Sequence, residues 1–124
     1  MIEPVRIESL PAMLCVGIRR RHSYVDPSAT IARQWQDFRE LGPVQGARGD
    51  TTYGIMCGAD AESFEYMTGV EVSDFAEAPA DLGRIRIRAQ TYAVFVAPDA
   101  ASIGATWMAV WQEWLPRSAD EMAD

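Results

Sequence analysis

The residues best suited to chemistry in this chain are a run of tryptophans and one carboxylate. Trp107, Trp111 and Trp114 follow one another at spacings of four and three, and Glu113 lies between the last two. Indole ring faces attract cations, and a carboxylate beside them adds a full negative charge, so the set suits binding of an amphipathic cation better than bond cleavage. Trp35, with tyrosines and phenylalanines on candidate strands, could line the same apolar cavity, although such residues also fill ordinary cores. On a helical wheel Glu113 falls roughly 100° from the middle of the apolar stripe. It can therefore turn inward at a pocket rim or outward to water.

Nucleophilic and metal chemistry find little footing. The chain has one histidine, His22, and two cysteines, Cys15 and Cys57, with no Gly-x-Ser-x-Gly elbow to complete a triad. His22 follows three arginines at a strand end and is expected to be exposed. Both cysteines sit in apolar surroundings without Cys-x-x-Cys or Cys/His spacing, and read as reduced core residues. The Asp and Glu residues show no metal-ligand spacing, so neither metal nor cofactor is expected. The loop Gly42 to Asp50 contains an Arg-Gly-Asp tripeptide but no secretory context, and its glycines lack the Gly-Lys-Ser/Thr ending of a phosphate loop.

Composition narrows the partners. The chain has 124 residues, 48% hydrophobic and 23% charged, which fits one domain with an ordinary core. Eighteen acidic residues against eleven arginines and no lysine give a net charge of −7. Nucleic acid, anionic membranes and polyanions become poor partners, and small cations better ones. The first residues carry charges and no long apolar run, so no signal peptide or membrane span is expected, and a cytoplasmic location is the default.

The elements that must position these residues follow from periodicity. Val5 to His22 alternates like a strand broken at Pro11, with Leu14, Val16 and Ile18 on one face and Met13, Cys15 and Gly17 on the other. The cluster Arg19, Arg20 and Arg21 reads as a solvated strand end rather than an anion site. Asp26-Pro27 starts a helix, with Asp26 as its cap, that ends near Gly42 and buries Ile31, Trp35 and Phe38. Residues 52–58 and 63–72 form an antiparallel hairpin. An acidic loop with Asp74, Glu77 and Asp81 follows, taken as solvated. Arg84 to Arg88 alternates with period two, Ile85 and Ile87 inward, and Tyr92 to Ala97 continues as a more deeply buried strand. Pro98-Asp99 opens a second helix with Ile103, Trp107, Val110 and Trp114 on its apolar face, and an acidic tail follows Pro116.

The segment TYAVFVAPDAASIGATWMAVWQEWLPRS (Thr91 to Ser118) resembles the signature of GyrI-like small-molecule-binding domains, the effector-binding domains of AraC- and MerR-type regulators. VRIESLPAMLCVGIR is similar to that family's opening strand and SFEYMTGVEV to its strand before the crossover, so the resemblance spans nearly the whole chain. It implies a single α+β domain over 1–124. Two βαββ-type repeats, about 1–72 and 83–124, would be related by a pseudo-twofold, with a curved antiparallel sheet and two helices flanking a ligand groove. It also implies that Glu113 receives the ligand's charge, with Trp107, Trp111, Tyr92 and Phe95 as walls; Tyr53, Tyr66 and Trp35 complete the candidate set. Family members continue past the Trp-Leu-Pro-x-Ser segment into a further strand, whereas this sequence ends at Asp124. The expectation is a missing last strand, natural or by truncation, and an open sheet edge that a second copy could cover in a homodimer.

Three functions follow. The leading one is a stand-alone, non-catalytic binding protein for amphipathic, cationic or aromatic small molecules, with no direct nucleic-acid or membrane partner. A cationic ligand would gain about 25 cal/mol per Å² of apolar surface buried, while relieving the cost of a desolvated Glu113 carboxylate. The alternative is a cofactor-free hydrolase of reactive electrophiles with Glu113 as general base. The third is a gyrase-modulating or other macromolecule-interaction protein, which would need an exposed patch that the sequence does not display.

Overall fold

A computed structural model describes residues 2–76, 78–99 and 102–117. Glu77 and the acidic tail from Ser118 onward lie outside them. The elements run β1 (Arg6–Leu10), β2 (Met13–Ser23), α1 (Ser28–Leu41), β3 (Tyr53–Cys57), β4 (Ser63–Val72), β5 (Gly83–Ile87), β6 (Gln90–Val94) and α2 (Ile103–Ala109). This is an α+β chain with antiparallel sheets and two helices. No described helix is long and apolar enough to cross a membrane. The chain divides into two compact units, one over Ala12–Arg88 and the other built from β1, β6 and the helical segment after them.

In the larger unit four antiparallel strands stand in the order β3-β4-β2-β5. β2 pairs with β4 from Leu14 to Ser23, but with β5 only from Met13 to Gly17. Cross-strand partners share a face, so the register places Leu14, Val16 and Ile18 beside Val72, Val70 and Thr68. The core forms on that face, where Val16, Phe38, Val70 and Val72 are buried with Val44 and Leu82. The opposite face carries Gly17 between Gly69 and Gly83, a row of glycines across three strands. A Cβ on Gly17 would lie 2.0 Å from the Thr68 carbonyl oxygen, so only glycine admits this close approach. The β3–β4 hairpin appears where the alternation places it, and its turn is tied by Asp60, whose Oδ1 accepts from the N–H groups of Glu62 and Ser63, both at 2.8 Å.

Helix α1 departs from expectation in two ways. Asp26 is not its cap: it has a left-handed φ of 49°, a conformation that Asp tolerates better than most residues, and the helix starts without a side-chain cap after Pro27. Its buried stripe includes Gln34, which lies between Ile31, Trp35 and Phe38 and is as deeply buried as any core residue. The amide is tolerated there because it is fully bonded. Its Nε2 donates to the carbonyls of Ile18 and Tyr66, each at 2.8 Å. His22 is likewise buried rather than exposed, because Gln34 and Thr30 satisfy both ring nitrogens at 2.6 and 2.9 Å.

The smaller unit pairs β1 with β6, antiparallel, with Arg6 opposite Val94 and Leu10 opposite Gln90. β6 is shorter and less buried than its composition predicts. Among the described residues it has one strand partner, its residues are half-buried or exposed, and Val96 beyond it is 65% exposed. Pro98-Asp99 does not open the second helix directly. Asp99 and Ser102 form a turn, with Ser102 N donating to Asp99 Oδ1 at 2.9 Å, and α2 begins at Ile103. After Ala109 the chain widens into a π-helical turn over Val110–Trp114, in which Leu115 N donates to Val110 O, and closes with a 3₁₀ turn at Leu115–Arg117 that includes Pro116.

Candidate functional site

Two aromatic residues of the larger unit, Trp35 and Tyr66, meet beside β3, an edge strand of its sheet. Trp35 on α1 donates its indole N–H to the Tyr66 hydroxyl at 3.3 Å, with ring centroids 6.5 Å apart and nearly perpendicular. Tyr66 reaches this position by lying across Gly54, where any Cβ would come within 2.0 Å of its hydroxyl oxygen. Burial pushes the Tyr66 phenol above its ordinary range, and the Trp35 N–H partly offsets that by favouring the phenolate. Tyr53, next to Gly54 on β3, is half-buried. The result is a donor-oriented hydroxyl on a rigid sheet, next to the exposed Met56.

The second aromatic group belongs to the helical segment of the smaller unit. The expected apolar stripe is realised only in its C-terminal half: Val110 is buried and Trp114 half-buried, whereas Ile103, Trp107 and, at the edge of the same face, Trp111 are exposed. The π-helical turn explains part of this. It uses more residues per turn than an α-helix, so side chains after Val110 leave the 3.6-residue phase. Trp114 packs edge-on against Phe95, centroids 5.2 Å apart. Tyr92 accepts a hydrogen bond from Gln90 Nε2 at 3.0 Å. Glu113 is exposed within the π-helical turn.

Thus Trp35 with Tyr66 is one direct contact, and Trp107 and Trp111 lie one helical turn apart. Phe95 finds its partner in Trp114, which the aromatic spacing places in the candidate cavity but the family resemblance does not place in its wall. His22 and Gln34 form a buried polar pair, joined at its outer end by the exposed Thr30, that sequence alone did not disclose, since a glutamine inside an apolar stripe carries no periodic signal. Both cysteines are free, Cys15 buried and Cys57 half-buried, and burial lifts the Cys15 thiol to about 11.

The arginine triplet alternates as a strand requires and remains exposed, yet it is also paired. Arg19 bonds Glu65, while Arg20 reaches Asp37 of α1 at 2.8 Å. Arg33 holds the other oxygen of Asp37 at 3.0 Å. The two guanidiniums, Arg20 first and then Arg33, hold the Asp37 carboxyl below its ordinary range.

No curated protein matches the sequence. The solved structure of SAV2435 bound to tetraphenylphosphonium superposes with a TM-score of 0.67 over 86% of this chain and 70% of that one, at 19% identity, which establishes a common fold. The model of the GyrI-like small molecule binding domain matches residues 3–124. With essentially the whole sequence covered, this chain belongs to the GyrI-like small-molecule-binding domain family.

Proposed function

We propose that the chain is a cytoplasmic receptor for amphipathic molecules that are cationic, aromatic or both. The observation that carries this reading is the exposure of two large aromatic side chains one turn apart, Trp107 at 43% and Trp111 at 47%. Indole surface left in water is a standing gain for a ligand that covers it, at about 25 cal/mol per Å², and ring faces add attraction for a cation. The tetraphenylphosphonium held by the structural neighbour is a ligand of this chemistry. In this reading Glu113 supplies the counter-charge, and Trp107, Trp111, Tyr92 and Phe95 form the aromatic wall. Trp35, Tyr66 and Tyr53 form a second aromatic set. The two βαββ-type repeats, the ligand groove and a homodimer formed through an open sheet edge belong to the same proposal.

The test is a titration with tetraphenylphosphonium followed by tryptophan fluorescence. Quenching should saturate in the wild type. Trp107→Ala and Trp111→Ala should each weaken binding about tenfold, and Glu113→Gln should weaken the phosphonium more than an uncharged aromatic of similar size. Equal affinity of all three variants for the cation would remove this helix from the site.

A further inference from the structure

We infer that His22 and Thr30 form a proton-operated switch on the first turn of α1. Thr30 Oγ1 stands within hydrogen-bond distance of two groups, His22 Nδ1 at 2.9 Å and the Pro27 carbonyl at 3.0 Å. A hydroxyl has one proton to give, and here two acceptors compete for it. The other ring nitrogen has no such freedom. Gln34 donates both amide protons to the carbonyls of Ile18 and Tyr66, so its Oε1 accepts from His22 Nε2 at 2.6 Å.

With its proton on Nε2, the neutral ring presents a bare lone pair at Nδ1. Thr30 then turns its proton to the ring, and the Pro27 carbonyl loses that donor while keeping the N–H of Ile31 at 2.9 Å. A proton added at Nδ1 reverses the first bond. The ring now donates to Thr30 Oγ1, and the hydroxyl proton is released to Pro27. Only the imidazolium makes all of these contacts at once. The charge on His22 thereby sets how the start of α1 is fastened, a start that has no side-chain cap and follows Asp26 with its left-handed φ of 49°.

The surroundings hold both states within reach. A cavity of about 330 Å³, lined in part by His22, Asp26 and Thr30, admits water to the ring. The charges near the ring are balanced: Arg20 of β2 and Arg33 of α1 are both bonded to Asp37 of α1, at 2.8 and 3.0 Å, and Asp26 lies in the connection. β4 presents Phe64, stacked on the imidazole with centroids 5.7 Å apart, and Tyr66, edge-on at 6.1 Å. The face of Phe64 favours an imidazolium. The macrodipole at the start of α1 opposes it.

The experiment follows the His22 ring nitrogens, the Pro27 carbonyl carbon and the Ile31 amide of the intact protein by NMR as pH is lowered from neutral toward acid unfolding. The ring should take up its second proton while the protein is folded, and the Pro27 and Ile31 signals should shift along the same curve. Thr30→Val removes the hydroxyl at an exposed position and should fold normally. In it the ring should still titrate while the Pro27 and Ile31 shifts disappear, and Thr30→Ser should restore them. A ring that stays neutral until the fold is lost, Pro27 and Ile31 signals that do not move with it, or shifts that persist in Thr30→Val overturn the switch.

Discussion

His22 and Gln34 share a hydrogen bond of 2.6 Å between Nε2 and Oε1, and the far side of the glutamine fixes which group donates it. Gln34 spends both amide protons on the carbonyls of Ile18 and Tyr66, so its oxygen must face the histidine and accept. His22 therefore carries its proton on Nε2. One glutamine thus ties α1 to β2 and β4 at a point where no water reaches.

Gln34→Met keeps the volume and removes these bonds, leaving two carbonyls and an imidazole N–H unpaired. The expected cost is about 2–5 kcal/mol, read from urea unfolding, together with faster exchange of the His22 Nε2 proton. A variant as stable as the wild type would show that the network contributes nothing.

Alkaline stability should track Cys15. Its thiol sits at about 11 in the folded chain against 9.0 when exposed, because burial, and secondarily Glu71, disfavours the thiolate. A folded pKa above the unfolded one means that the stabilisation is complete below pH 9 and is lost as pH rises toward 11. The loss should amount to about 2–3 kcal/mol. Cys15→Ala should flatten this part of the profile, at the cost of a small cavity.

Two glycine substitutions should differ sharply although each places a Cβ 2.0 Å from an oxygen. At Gly17 that oxygen is the Thr68 carbonyl in the paired strand, which cannot move alone, so Gly17→Ala should cost upwards of about 3 kcal/mol. At Gly54 it is the end of the Tyr66 side chain, which can swing aside. Gly54→Ala should fold and lose the Trp35–Tyr66 hydrogen bond, visible as a change in tryptophan emission.

Trp35→Phe should raise the Tyr66 titration still further, since it removes the N–H that favours the phenolate and leaves the burial that opposes it. Absorbance of the phenolate at alkaline pH measures this. The accompanying loss of stability should be about 1 kcal/mol.

Period-two alternation located β2, β4 and β5, and the Ile31, Trp35 and Phe38 spacing located α1. β2 and β4 carry buried residues that force register, whereas β5 is at most half-buried, with Ile85 and Ile87 on the side of Cys15 and Met13 and its Arg84 and Arg86 beside Val16 and Leu14. The misplaced features have specific physical causes. His22 reads as solvated, and Gln34 has no signal that places it inside, because each is unfavourable in a core alone and only their mutual bonding allows burial. Asp26-Pro27 looked like a cap, but capping depends on a backbone angle that residue type does not determine. On α2 the aromatic spacing located the helix, but periodicity reports an apolar face and not what covers it, so Ile103 and Trp107 are exposed, and Trp111 falls in a π-helical turn that has no periodic signature of its own. The Asp37 clamp on Arg20 and Arg33 joins a strand to a helix and was invisible beyond the i, i+4 hint between Arg33 and Asp37.

The π-helical turn at Val110–Trp114 also stores one residue more than an α-helical turn would hold. Deleting one residue ahead of Trp114 there would restore ordinary α-helical winding, and because the loose turn and the tight turn each carry the chain about once around the axis, everything downstream would keep nearly its present facing. Such a deletion would leave Trp107 where it is and Trp114 within reach of Phe95, so this segment can absorb the loss of a codon without re-aiming its aromatic surface.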